Sequence, residues 1–219
     1  MNLLGLNSSF RNSLFYNRGK QKNSVTYTYI SNRAKNLFAV GSQENSNRSH
    51  QMQYSHLYKK SWLFGFGGKT IASKTNSENY GSKNFELKGY QLAPKISYLF
   101  SKNASWDIFY EFQNKKNNIG DLETLAQQRL GTSFMYASDK QFTMNGEFSF
   151  YENKFKGNDL SPVAYQMLEG LQAGKNITWR LLIQKNLTQF LDINVNYQGR
   201  KSETSGAIHT GSVQLRAYF

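Results

Sequence analysis

The stretch His209-Thr210-Gly211-Ser212-Val213-Gln214-Leu215-Arg216-Ala217-Tyr218-Phe219 alternates in character at every step. One parity carries Gly211, Val213, Leu215, Ala217 and Phe219, and the other carries Thr210, Ser212, Gln214, Arg216 and Tyr218. Successive strand side chains point to opposite faces, so this segment presents one apolar and one wet surface. The preceding segment repeats the scheme, with Leu191, Ile193, Val195 and Tyr197 against Asp192, Asn194, Asn196 and Gln198. Together they read as a hairpin.

Working outward, the same rhythm returns in Ile177–Ile183, Phe142–Phe150, Leu130–Tyr136 and Trp106–Phe112. Weaker segments near 83–100, 61–74, 49–58, 34–44, 23–31 and 2–16 bring the expectation to about twelve strands. Several segments hold the alternation for ten residues or more. Soluble sandwich strands are commonly about five or six residues long, whereas a tilted strand needs about nine to eleven to cross a bilayer. An all-β antiparallel transmembrane barrel forming one domain over 1–219 is therefore expected, ahead of a soluble sandwich.

The connections point the same way. Short ones are expected at 185–189, 137–141, 101–105, 58–62 and 31–36. Longer polar ones are expected at 200–207, 156–166, 114–126, 75–83 and 42–49. Short periplasmic turns alternating with longer extracellular loops characterise membrane barrels. Aromatics such as Trp62, Tyr98, Phe100, Trp106 and Phe142 gather beside the short turns, as an interfacial girdle requires. Two loop segments have helical character, Asp121–Arg129 and Ser161–Glu169. The second has Ser161 at an N-cap and Pro162 in the first helical position, and such a segment could fold over or into the barrel mouth.

Composition agrees with a sheet protein. Aromatic residues make up 15% of the chain and there are only 2 Pro, so long strands can run without losing ladder hydrogen bonds. No run approaches the roughly 18 apolar residues of a membrane helix. The segment after Met1 lacks the basic and apolar regions of a secretory signal, so the chain reads as a mature form, a recombinant form or a fragment, and its opening directly in a strand-like segment favours a fragment, the C-terminal portion of a longer chain. The 27 Lys and Arg against 14 Asp and Glu raise nucleic-acid binding, but the basic residues are dispersed in pairs such as Arg33/Lys35, Lys115/Lys116 and Lys154/Lys156. They read as solvated turns and loops, some facing anionic lipid head groups, with no nucleic-acid partner.

The closing strand, with Val213, Leu215, Ala217 and Phe219, resembles the C-terminal signature of bacterial outer-membrane barrels. That resemblance implies an outer-membrane location, a lipid surround that includes lipopolysaccharide, and recognition by the barrel-assembly machinery. Tyr165–Arg180 with Tyr197–Phe219 also looks like the closing portion of large outer-membrane proteins, where other envelope proteins are conceivable partners.

Chemistry-bearing motifs are sparse. Gly68-Lys69-Thr70 is like the end of a phosphate-binding loop, but the glycine that motif needs five residues earlier is Leu63. Without Cys, thiolate metal sites and disulfides are excluded. The 3 His, His50, His56 and His209, are expected to be rim residues, so no catalytic, cofactor or metal site is assigned. The inner face should carry Asp107, Glu111, Arg129, Glu147, Arg180, Asp192 and Arg216, the mixed charge of a hydrated lumen. Hairpin register puts Glu111 opposite Arg129. The expected role is a pore or a membrane-embedded part of an envelope transport or assembly complex, the rival being a lipid-modifying hydrolase on a barrel scaffold.

Overall fold

The computed structural model describes residues 5–18, 22–39, 41–120, 122–138 and 141–218. Alternation over these lengths dictates strands, and the described chain is one sheet of eleven in sequence order, each antiparallel to its neighbours. They are β1 Gly5–Tyr16, β2 Asn23–Leu37, β3 Ser42–Tyr58, β4 Trp62–Ser77, β5 Phe85–Leu99, β6 Ala104–Asn117, β7 Thr124–Ser138, β8 Phe142–Lys156, β9 Gly174–Thr188, β10 Leu191–Ser202 and β11 Ile208–Ala217. A single α-helix among the described residues, α1 Pro162–Leu168, lies between β8 and β9. No helix among them is long and apolar enough to cross a membrane.

Strands of 10 to 17 residues rise about 3.3 Å per residue. They can therefore cross the ~30 Å hydrocarbon layer while tilted and still project from it. Eleven strands agree with the expected count of about twelve, and that projection explains the one place where the expected boundaries shift. The stretches 23–31, 34–44 and 49–58 form only two strands. The expected turn at 31–36 lies inside β2, and the expected loop at 42–49 lies inside β3. Asn32, Arg33, Lys35 and Gln43–Arg48 are polar on both faces because these ends stand clear of the apolar belt, and their polarity looks like a turn. The true connections are 17–22 and 38–41. Likewise, of the segment Asp121–Arg129 expected to be helical, the described residues 122–129 are not. Asp121 lies outside the described residues, and β7 begins at Thr124. Ser161–Glu169 is helical as expected: Ala164 N donates to Ser161 Oγ at 3.0 Å, and Glu169 closes the helix in the left-handed region.

The cross-strand register threads one apolar face through the sheet. Tyr54, Phe66 and Pro94 lie in one row, as do Ile96, Ile108, Thr132, Phe148 and Trp179, and Ile183, Val195 and Val213 in another. Most of these side chains stand open, with Phe148 48% and Val213 69% exposed, as lipid-facing groups do. Near the short turns Tyr58, Trp62, Tyr98, Trp106 and Phe134 share one row, and the Trp62 and Tyr98 rings meet edge-on at 4.9 Å. This is the girdle that the sequence implies.

The opposite face carries α1. Val163, Ala164, Met167 and Leu168 pack with Phe85, Leu87, Leu125 and Phe155 into the one buried apolar cluster among the described residues. We call this side the inner face, and the end of the sheet where α1 sits the loop end. β1 and β11 both run from the loop end to the short-turn end. Among the described residues β1 pairs with β2 alone and β11 with β10 alone.

Candidate functional site on the inner face

The site is built from inner-facing positions of β5 to β10 and from the 157–173 connection. Its centre is Arg129 on β7. The antiparallel register places Glu111 directly opposite it on β6, with Arg129 Nη1 3.8 Å from Glu111 Oε2. On the other side Arg129 Nη2 donates to Glu147 Oε1 at 2.6 Å and Nε donates to Ser149 Oγ at 3.1 Å. The guanidinium also lies 4.7 Å from the Phe109 ring centroid and 5.3 Å from that of Tyr151. It is thus held by two carboxylates and two aromatic rings, which fixes its fork of donors in one orientation.

Gly131 makes this arrangement possible. It is the register partner of Phe109, and a Cβ there would run into that ring and come within 2.9 Å of Ser149 Oγ. The ring lies across the glycine because nothing projects from it.

The other sequence-derived charges share the inner face but not one contact set. Asp107 lies 3.4 Å from Lys95 Nζ and accepts from Ser133 Oγ at 3.3 Å. Arg180 is the register partner of Glu147 and borders a cleft lined by Gln198, Arg200 and Thr210. Asp192 faces Arg216 in register near the short-turn end and accepts from Tyr218 Oη at 3.1 Å. Of the terminal-strand residues, Val213, Leu215 and Ala217 pair with the apolar parity of β10, while Phe219 lies outside the described residues.

Lys115, which the sequence places in a solvated loop, is instead buried at 4% exposure. Its Nζ donates to the Met167 carbonyl at 3.1 Å and to Glu169 Oε1 at 2.6 Å. A buried ammonium is costly unless paired, and here the end of α1 supplies both partners. A ladder of amides fastens the rest of the connection. Gln127 Nε2 donates to Asn153 Oδ1 at 2.9 Å, and Asn153 Nδ2 and Asn176 Nδ2 each donate to Gln172 O at 2.8 Å. Arg200 Nη1 adds a bond to Gly170 O at 3.1 Å. The connection therefore lies across the inner face from β5 to β10. Sequence reading misses Lys95, Phe109, Lys115 and Tyr151. Their inward parity is legible, but their partners are not.

The histidines sit on the outer face. Tyr27 Oη lies 2.7 Å from His50 Nδ1, Asn23 Oδ1 lies 2.5 Å from His56 Nδ1, and Tyr197 Oη lies 2.8 Å from His209 Nδ1. No group of three or more His, Cys, Asp or Glu among the described residues is placed to hold a metal.

A continuous apolar outer face, an aromatic girdle and a polar inner face define a membrane barrel wall. No protein-family model matches the chain, and no curated protein matches it. Solved structures do. OmpT, an outer membrane protein of Vibrio cholerae, is similar over 99% of this chain and 97% of its own, at 7% identity and a TM-score of 0.53. The outer membrane channel DcaP of Acinetobacter baumannii is similar over 95% of this chain and 62% of its own, at 9% identity and a TM-score of 0.54. The likeness is one of fold: this chain has the architecture of the bacterial outer-membrane β-barrels.

Proposed function

We propose that the protein forms a non-catalytic, water-filled pathway in a bacterial outer membrane, narrowed at its loop end by α1. The loop end would face outside the cell. The observation that carries this reading is the 157–173 connection fastened across a polar, mixed-charge inner face. A wall that served only as an anchor would need neither the Arg129 network nor a helix held inside by a buried lysine. Balanced charge around Arg129 suits polar solutes of either sign better than a strongly ion-selective path. The hydrolase alternative has less support, since the histidines bond Tyr and Asn on the lipid side.

Strand direction favours a wall with more strands than these eleven. Because β1 and β11 run the same way, joining them directly would make a parallel pair. One further strand running opposite to both lets an antiparallel barrel close, which fits the closing portion of a larger barrel or a component of an envelope assembly. Val213, Leu215, Ala217 and Phe219 would then serve the assembly machinery. The test is conductance of the whole protein in planar bilayers, compared with a variant in which 159–170 is replaced by a short Gly-Ser linker. The expected result is a stepwise conductance that grows on deletion. No conductance from either form would contradict a pore.

A further inference from the structure

The charges of the inner face are matched on one side of the sheet and unmatched on the other. On β5 to β8, Asp107 meets Lys95, while Glu111 and Glu147 share Arg129. On β9 and β10, Arg180 and Arg200 have no such partner, and among the described residues no carboxylate pairs with either. Arg180 lacks one even though Glu147 is its direct register partner. Glu147 stands between two arginines and is held by only one of them: its Oε1 accepts from Arg129 Nη2 at 2.6 Å and from Ser149 Oγ at 3.3 Å. Arg200 donates once, to Gly170 O. A guanidinium has five N–H donors, so both forks keep donors to spare.

The two arginines stand together. Arg180 is opposite Gln198 and Arg200 is opposite Thr178, so they spring from diagonal positions of one strand pair, where long side chains come within reach of each other. Both line a cleft of about 410 Å³ on the inner face, a size within the roughly 300 to 1,000 Å³ of small-molecule sites. The neutral polar groups of Thr178, Gln198 and Thr210 share its wall with the apolar side chain of Ile208.

We infer that this cleft binds a small hydroxylated carboxylate, with the carboxylate on the guanidiniums of Arg180 and Arg200 and the hydroxyls at Gln198, Thr178 and Thr210. The inference deepens the pathway reading and rests on it, since the cleft becomes a solute station within the path. A planar fork of donors matches a carboxylate through two parallel hydrogen bonds. Solute hydroxyls both donate and accept, as the amide and hydroxyl side chains beside the forks do. Glu147 sets the charge that is tolerated. A phosphate monoester carries about −1.5 to −2 at pH 7 and would be repelled by that carboxylate more strongly than a singly charged solute.

The test is calorimetric titration of the whole protein in detergent micelles with gluconate, with glucose as the neutral counterpart and inorganic phosphate as the competing oxyanion. Saturable binding of gluconate is expected, with no binding of glucose and weaker binding of phosphate over the same concentrations. Arg180→Gln and Arg200→Gln should each weaken gluconate about tenfold, the worth of one hydrogen bond to a charged group. Lys69→Gln, which removes an inner-face charge on β4 away from the cleft, should leave binding unchanged. Absence of saturable gluconate binding by the parent would overturn the inference, and so would full affinity in both arginine variants. An equal loss in Lys69→Gln would overturn it in favour of the general field of the inner face, and phosphate binding as tight as gluconate in favour of an unselective oxyanion site. Conductance in planar bilayers keeps the two readings apart: a parent that conducts without binding gluconate contradicts this site alone, whereas one that binds gluconate without conducting supports the site and contradicts the pathway.

Discussion

Lys115 Nζ lies 2.6 Å from Glu169 Oε1, so an ammonium buried in β6 fastens the end of a helix more than fifty residues away in sequence. The same ammonium donates to the Met167 carbonyl, one of the groups a helix C-terminus leaves without an internal partner. The wall and the end of α1 are therefore joined at a buried charged point.

Replacing that point should loosen α1 without dissolving the wall. Lys115→Met keeps much of the buried side-chain volume but removes both hydrogen bonds. A loss of about 1.5 to 3 kcal/mol is expected, the range for a hydrogen bond to a charged group. Amide exchange of 162–168 in the detergent-solubilised protein should quicken, while that of β6 to β8 stays slow. Unchanged protection of α1 would show that its apolar packing alone holds it.

Arg129→Gln should alter selectivity. Glu111 and Glu147 would lose their shared cation, leaving the middle of the inner face acidic, with carboxylates 20% and 41% exposed. Reversal potentials in a salt gradient should move toward cation preference. Stability should fall by roughly 1 to 3 kcal/mol, the cost of leaving charged acceptors without their donor. A shift toward anions would contradict the placement of this cluster in the pathway.

Part of this arrangement is legible in the sequence and part is not. The pairing of Glu111 with Arg129 follows from Trp106 and Phe134 alone, because a one-residue slip would turn every apolar side chain to the wet side. β10 and β11 are equally legible, since Leu191, Ile193, Val195 and Tyr197 of one meet Ala217, Leu215, Val213 and Gly211 of the other. The upper parts of β2 and β3 are not, because a strand that leaves the bilayer loses the alternation by which it is recognised. Lys115 is illegible for another reason. The alternation in 104–117 turns it inward and Lys116 outward, but its burial is imposed by a connection far along the chain, which nothing in that stretch reveals. The seat of Phe109 is hidden similarly, since it depends on Gly131 across the hairpin.

The edges of the sheet can be probed by cross-linking in the whole protein. Neighbouring strands lie about 4.8 Å apart, so one intervening strand would hold β1 and β11 about 10 Å apart, beyond the ~7 Å that a disulfide spans. With Ser13→Cys on the inner face of β1, no oxidative cross-link is expected to Cys at Thr210, Ser212 or Gln214 of β11. A cross-link at any of these would mean that the two strands pair directly, as a parallel closure.

The outer face should be intolerant of charge. Ile193→Arg and Leu215→Arg, register partners on β10 and β11, are each expected to cost roughly 2 to 4 kcal/mol at midplane depth. Asn194→Arg and Gln214→Arg, on the opposite parity, should be far milder. Equilibrium unfolding in phospholipid vesicles gives both values on one scale.

The facing of the wall is tested most directly by scanning β6. The protein has no native Cys, so single Cys from 106 to 113, each carrying a fluorophore, can be read in vesicles against nitroxide lipids and against an aqueous quencher. Lipid quenching is predicted to peak at 106, 108, 110 and 112, and aqueous quenching at 107, 109, 111 and 113, with a period of two. Uniform aqueous access at both parities, or lipid quenching at 109 and 111, would contradict the membrane wall and with it the pathway lined by Arg129.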